Sequence, residues 1–136
     1  MLHELPRTEA VPDIATITDA ESAAMARAVI RLFERWGVSD AEARNVLGGL
    51  AARTYARWKG GEVGRIDRDL ATRLSLLMGI HKGLRYLYTD PERGYAWVKK
   101  ANANLDGRTP LEIMTEGSMF GLMRVRNYLD AERGGW

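Results

Sequence analysis

The chain has 136 residues, of which 46% are hydrophobic and 28% are charged, and its formal net charge is +2. This length fits one domain, or two small halves around a shared core, and the composition is that of a globular protein. The absence of cysteine excludes disulfides and cysteine-based zinc sites. No apolar run approaches the roughly 18 residues of a membrane span, and the first residues lack the apolar core of a signal peptide. We therefore expect a cytoplasmic protein without a membrane partner.

Helix-start and helix-stop signals divide the first part of the chain, after a proline-containing arm over residues 1–17 that we expect to be irregular. Two capping boxes, in which a Thr or Ser is followed three residues later by a Glu, start the first two helices, and glycines end them. The third helix carries Tyr55 and Trp58 on its expected buried side. The three predicted helices span Ala20–Trp36, Ser39–Leu47 and Ala51–Gly60.

A longer helix follows, with Asp67 as its cap and leucines at helical spacing behind it. We expect Gly79 to interrupt this helix, and a further helix or a bent continuation to follow. We therefore expect an approximate domain boundary between Gly79 and Asp90. It separates a domain of residues 18–80 from a domain of residues 81–136, and the two share one core.

Three further helix starts organise the second half. Asp90 and Thr109 each stand before a proline at the first helical position, and Ser118 caps the last helix. Residues 102–107 form a loop between them. Because no segment keeps the two-residue period of a strand, the chain is predicted to be all-α.

The helices on either side of Gly48 and Gly49 have the pattern of a helix-turn-helix: a short helix, a tight turn and a basic second helix. Gly48 departs from that pattern, because an apolar residue is usual there.

Between residues 44 and 65 there are five basic residues and one acid, which favours an anionic partner. A solvated helix face is the alternative. Arginine can bind guanine through two hydrogen bonds, and threonine can contact a base or a phosphate. The candidate DNA contacts are Arg44, Arg53, Thr54, Arg57, Lys59 and Arg65.

Three stretches, RTYARW, DLATRLSLLMGIHKGL and YAWVKKANANLDGRTPLEIM, resemble the Xre/MbcA/ParS antitoxins of RES–Xre toxin–antitoxin systems. The resemblance covers roughly residues 30–132. It implies an Xre-like helix-turn-helix in the N-terminal half, which represses its own operon by binding operator DNA. It implies a small helical C-terminal half that binds and inhibits a RES-domain toxin, an enzyme that degrades NAD. A homodimer on a palindromic operator is also expected.

Seven residues are candidates for toxin contacts. Trp97, Asn102 and Asn104 lie in the block that carries the resemblance, although a core position for Trp97 and a turn at residues 102–107 favour a role in the fold of this half over a contact with the toxin. The C-terminal tail places a tryptophan, a residue type enriched in interface hot spots, on two glycines. We hypothesise that this tail enters the active-site cleft of the toxin; a tail without a role is the alternative. The tail candidates are Arg133, Gly134, Gly135 and Trp136.

The sequence gives little support for an enzyme. Its two histidines, His3 and His81, are far apart, and His81 falls on the apolar side of its helix. No cluster has zinc-ligand spacing, and the glycine-rich stretch at residues 60–65 lacks the lysine of a phosphate-binding loop. We therefore expect no catalytic residue, metal or cofactor. Two alternatives to the antitoxin remain open: a helix-turn-helix transcriptional regulator without a toxin partner, and an adaptor that no longer binds DNA.

Overall fold

The computed structural model describes residues 17–134. The prediction of an irregular arm therefore lies outside the described residues, apart from residue 17. Within this range the chain is all-α, as predicted, and no helix is long and apolar enough to cross a membrane. The α-helices are α1 (Asp19–Trp36), α2 (Asp40–Val46), α3 (Ala52–Lys59), α4 (Arg68–Leu87), α5 (Pro91–Trp97), α6 (Pro110–Thr115) and α7 (Met119–Glu132), with a short 3₁₀ helix over Ala103–Leu105 between α5 and α6.

Apart from the start of α3, the predicted helix starts are confirmed by their capping hydrogen bonds. In the box that opens α1, the Thr18 hydroxyl accepts from the Glu21 amide at 3.1 Å, and the Glu21 carboxylate accepts from the Thr18 amide at 3.3 Å. Matching boxes open α2 and α6, and Asp67 caps α4 through the amide of Leu70 at 2.8 Å. Because each cap satisfies an amide that has no partner inside its helix, it contributes about 1 kcal/mol.

The predicted interruption at Gly79 is wrong, because α4 is continuous over Arg68–Leu87. Gly79 instead lies where α7 crosses α4: a Cβ there would be 2.8 Å from Nε of Arg126. One turn further on, a Cβ at Gly83 would be 3.3 Å from the Cβ of Leu129. These glycines therefore permit the close approach of two long helices.

Helix α4 is the centre of the molecule, because α1 and α7 both pack against it. One continuous cluster of buried side chains includes Phe33 from α1, Leu74 and Ile80 from α4, and Val125 from α7. The expectation that the two halves share a core is therefore confirmed. Burial of this apolar surface is the main stabilising contribution to the fold.

Gly121 in α7 gives a test of the packing between α6 and α7. A Cβ at this position would lie 2.7 Å from the carbonyl oxygen of Ile113, a backbone atom that cannot rotate away. Such overpacking costs about 1–3 kcal/mol, and the higher helix propensity of alanine offsets about 1 kcal/mol of it. We therefore expect Gly121→Ala to lower the free energy of unfolding in urea by about 1 kcal/mol. Gly64→Ala is the control, since Gly64 faces open space; equal stability of the two variants would contradict this packing.

Candidate functional site

The turn between α2 and α3 depends on two successive glycines in the left-handed region. Gly48 has φ 83° and Gly49 has φ 90°, and only glycine adopts such angles without strain. Arg44 closes the same turn, because its Nε donates to the carbonyl oxygen of Leu50 at 2.7 Å. The sequence pattern of a short helix, a tight turn and a second helix is thus present in the structure.

Arg73 explains why a glycine stands at position 48. Arg73 is 8% exposed, and a Cβ at Gly48 would lie 2.8 Å from its Cζ. The guanidinium donates to the Gly117 carbonyl oxygen at 2.7 Å, to the Val46 carbonyl oxygen at 3.4 Å and to the Asp69 carboxylate at 2.9 Å. Sequence reasoning missed this residue, although the spacing of Asp69 and Arg73 is that of a helical ion pair. Arg73 joins the helix-turn-helix to the turn between α6 and α7.

Helix α3 is anchored by Tyr55 and Trp58, each 4% exposed, as its sequence predicted. Burial first, and then the nearby carboxylates of Asp40 and Glu34, raise the pKa of Tyr55 to about 12. The phenol therefore stays neutral in the interior, where an ionised group would be strongly disfavoured. This aromatic anchor fixes which side of α3 faces outward.

The outward side of α3 presents cationic groups that have no partner in the described part of the chain. Arg53 and Arg57 are exposed, as is Arg65 in the loop that follows, and Thr54 is half-buried. None of these arginine side chains forms an ion pair or hydrogen bond with another residue of 17–134. The N-cap Ala51 also forms no side-chain capping bond, so the first amides of α3 are available to a phosphate oxygen. The arrangement is suited to a nucleic-acid backbone and base edges.

The other two candidate DNA contacts have structural partners. Lys59 pairs with Asp40, its Nζ 2.8 Å from Oδ2, and lies 5.7 Å from the centroid of the Tyr55 ring. The Nε of Arg44 donates a hydrogen bond to the Leu50 carbonyl oxygen. Both side chains hold α2 and α3 in their relative orientation, a role that sequence reasoning did not identify.

In the second half, Trp97 and Asn104 meet at Tyr128 of α7. The rings of Trp97 and Tyr128 stack with centroids 6.0 Å apart, and Asn104 Nδ2 donates to the Tyr128 hydroxyl at 3.2 Å. Asn102 shapes the loop, because its Oδ1 accepts from the Asn104 amide at 2.9 Å. Trp97 and Tyr128 are half-buried and Asn104 is exposed, so this Trp97–Tyr128 cluster presents an aromatic and amide surface to solvent. Tyr128 was not among the predicted residues.

The start of the tail is held against α4. The Arg133 guanidinium lies 5.5 Å from the centroid of the Tyr86 ring, and its Nη2 is 3.3 Å from Oδ1 of Asp130. Tyr86, which sequence reasoning missed, is 70% exposed. Gly134 follows with φ 69°. Gly135 and Trp136, the other two tail candidates, lie outside the described residues.

Comparison with known proteins accounts for both halves of this arrangement. An antitoxin Xre-like helix-turn-helix domain matches residues 15–79, and an antitoxin Xre/MbcA/ParS C-terminal toxin-binding domain matches residues 83–135. The chain belongs to the Xre/MbcA/ParS antitoxin family. The uncharacterized protein y4oB of Sinorhizobium fredii (strain NBRC 101917 / NGR234) is 37% identical to this antitoxin over 108 residues, which are 79% of this chain and 83% of that protein.

The family assignment confirms the resemblance and the fold class of the antitoxin. The first match ends at residue 79 and the second begins at residue 83, so both ends fall inside the continuous helix α4. The DNA-binding and toxin-binding domains of this antitoxin are therefore built on one shared helix, and the Arg73 contacts to Val46 and Gly117 connect them a second time.

Proposed function

We propose that this antitoxin binds and inhibits a RES-domain toxin that degrades NAD, and that it represses its own operon by binding operator DNA. The observation that carries the proposal is the combination, in one chain, of exposed α3 arginines that have no side-chain partner among residues 17–134 with a C-terminal domain of the toxin-binding type. The protein acts in the cytoplasm by binding and not by catalysis. A homodimer would present two copies of α3 to the two halves of a palindromic operator.

The DNA-binding step follows from the geometry of α3. Lying in the major groove, the helix would direct Arg53 and Arg57 to base edges, while Thr54 and Arg65 contact the phosphates. The uncapped amides at its start would bind a further phosphate. Lys59 and Arg44 would set the orientation of the helix, because they tie it to α2 and to the turn.

The toxin-binding step uses two surfaces of the C-terminal half. One is the Trp97–Tyr128 cluster with Asn102 and Asn104, where stacked rings and an exposed amide offer both apolar and polar contacts. The other is the tail from Arg133 to Trp136. The contact of Arg133 with Tyr86 would fix the point from which the tail leaves the domain, so that less freedom is lost when the tail enters the toxin's cleft.

Copurification tests the proposal. The antitoxin is expressed with the product of the neighbouring reading frame, only the antitoxin carries a tag, and the eluate is run on a sizing column. We expect one complex of fixed composition. If the antitoxin elutes alone and still binds DNA from upstream of its operon, the protein is a transcriptional regulator without a toxin partner. If it binds the partner and no DNA, it is an adaptor.

Deletion of the tail should weaken inhibition of the toxin without changing the stability of the fold. We expect deletion of residues 134–136 to weaken inhibition of the toxin at least about tenfold, because a tryptophan hot spot is worth about 2 kcal/mol or more. The readout is residual NAD loss in the presence of increasing antitoxin. Operator binding and the unfolding midpoint serve as controls and should not change. Inhibition equal to that of the full chain would show that the tail has no role.

A further inference from the structure

A groove of about 230 Å³ lies between α1, α4 and α5. No residue of α3 or α7 lines it, so it is separate from the proposed DNA contacts and from the Trp97–Tyr128 cluster. Its apolar part includes Leu32 and Met78, and its polar part consists of Arg31, Arg35, His81 and Tyr95. Apolar and polar side chains line the groove in about equal measure, so a small ligand could make both kinds of contact there.

The charge of this groove is positive and uncompensated. Arg31 and Arg35 stand one turn apart on α1 and are both exposed, and no acidic side chain of residues 17–134 lines the groove. Neither guanidinium group has an ion pair or hydrogen bond with any residue that the structure describes. Two guanidinium groups at this spacing offer several N–H donors in planar pairs. A phosphate group, with three oxygens, can accept from both guanidinium groups at once.

His81 supplies a second, independent observation. Its Nδ1 is buried and has no hydrogen-bond partner among residues 17–134, a situation that is rare in native proteins. Burial first, and then the charge of Arg85, lower the pKa of His81 below 6.5. The other polar groups that line the groove are Arg31 and Arg35 from α1 and Tyr95 from α5, and none of them is an acid. A bound anion would bring a negative charge into the groove and would favour the imidazolium form.

We propose that this groove binds a small phosphorylated organic molecule. The guanidinium groups of Arg31 and Arg35 hold the phosphate, and Leu32, Met78 and Tyr95 contact the apolar body. The bound ligand contacts α1, α4 and α5 at once, so it stabilises the folded chain by mass action. The site does not depend on the proposed toxin and operator functions, so the outcome of their tests neither supports nor contradicts it.

Adenosine monophosphate is the first probe, with inorganic phosphate and adenosine as the two partial ligands. Isothermal titration of the full chain at low salt should show binding of the monophosphate, weaker binding of phosphate and none of adenosine. The Arg31→Ala/Arg35→Ala variant should bind the monophosphate at least about tenfold more weakly, the equivalent of one charge-assisted hydrogen bond. Arg27→Ala removes an exposed arginine of the same helix outside the groove and should change the affinity less than about twofold.

A proton NMR titration of His81 in the unmodified chain reports on binding inside the groove itself. The pKa of His81, assigned with a His81→Asn variant, should rise when the monophosphate binds. The proposal is overturned if the full chain binds neither monophosphate nor phosphate, or if Arg31→Ala/Arg35→Ala binds as tightly as the unmodified chain. Loss of binding in Arg53→Ala/Arg57→Ala instead would locate the nucleotide on α3 and would also overturn it. Equal affinity for phosphate and monophosphate would contradict the apolar part of the site.

Discussion

Replacing Arg53 and Arg57 together by alanine is expected to weaken operator binding more than about a hundredfold and to leave the toxin complex unchanged. Each arginine that pairs with a guanine contributes about 1–3 kcal/mol of discrimination, and a factor of ten corresponds to about 1.4 kcal/mol. Both side chains are exposed and without partners among residues 17–134, so their removal should not cost stability. The measurement is fluorescence anisotropy with a duplex from upstream of the operon, repeated at several salt concentrations.

The control for this experiment removes the same charge from another helix. Arg27→Ala/Arg31→Ala takes two exposed arginines from α1, and we expect it to weaken operator binding less than about threefold, since distant charges are screened by salt. Discrimination between the operator duplex and an unrelated duplex should fall only in the α3 variant, because that variant loses contacts with base edges. Equal losses in the two variants would mean that net charge, and not the surface of α3, attracts DNA.

Replacing Arg73 by alanine is expected to lower the free energy of unfolding by about 2–4 kcal/mol. The substitution takes the donor away from the buried carbonyl group of Val46 and the part-buried carbonyl group of Gly117, and a buried polar group left unpaired costs about 1–3 kcal/mol. It also empties the space above Gly48, where a Cβ would lie only 2.8 Å from the guanidinium carbon. Urea denaturation measures the loss. Operator binding should weaken as well, because the Val46 carbonyl at the turn loses its contact with Arg73.

Arg124→Ala is the matched control for Arg73. Arg124 also forms an ion pair, 2.9 Å from Asp106, but both side chains are exposed, and such pairs contribute about 0–1 kcal/mol. Arg73→Lys keeps the charge without the planar fork of donors and should recover only part of the stability. If Arg73→Ala unfolds at the same urea concentration as the unmodified chain, the buried guanidinium does not hold the two halves together.

The helix boundaries could be predicted from the sequence because their signals are local. A capping box joins residues three positions apart, and a proline fixes its own backbone angle, so Thr18, Ser39 and Thr109 sufficed to locate three helices. The buried side of α3 was predicted for the same reason, since Tyr55 and Trp58 lie one turn apart. Local spacing carries this kind of information without any knowledge of the tertiary fold.

The errors concern residues whose partners are distant in sequence. Local spacing predicts an interruption at Gly79, whereas its packing partner, Arg126, lies 47 positions further along the chain. Gly48 departs from the helix-turn-helix pattern because Arg73 occupies the space above it. In both cases a glycine accommodates an arginine from another helix, and no local pattern distinguishes such a glycine from a breaker.

The candidate sites were partly predictable. The basic side of α3 followed from spacing, whereas the pairing of Lys59 with Asp40 depends on how α2 crosses α3. The toxin-binding half was predicted from the family resemblance. The structure adds Tyr128, which contacts Trp97, and Tyr86, which contacts Arg133. Both tyrosines lie on helices for which periodicity predicts only a partly apolar face. Which of these side chains touches a partner is a property of the complex, so periodicity within the free chain does not encode it.

The most direct test of the central claim is the rate of NAD loss caused by the purified product of the neighbouring reading frame, alone and with increasing antitoxin. We expect the partner alone to consume NAD and the rate to fall to background at a fixed ratio of the two chains. The Arg53→Ala/Arg57→Ala antitoxin should suppress the rate equally well. A partner that consumes NAD at full rate inside a stable complex with this chain would contradict the account.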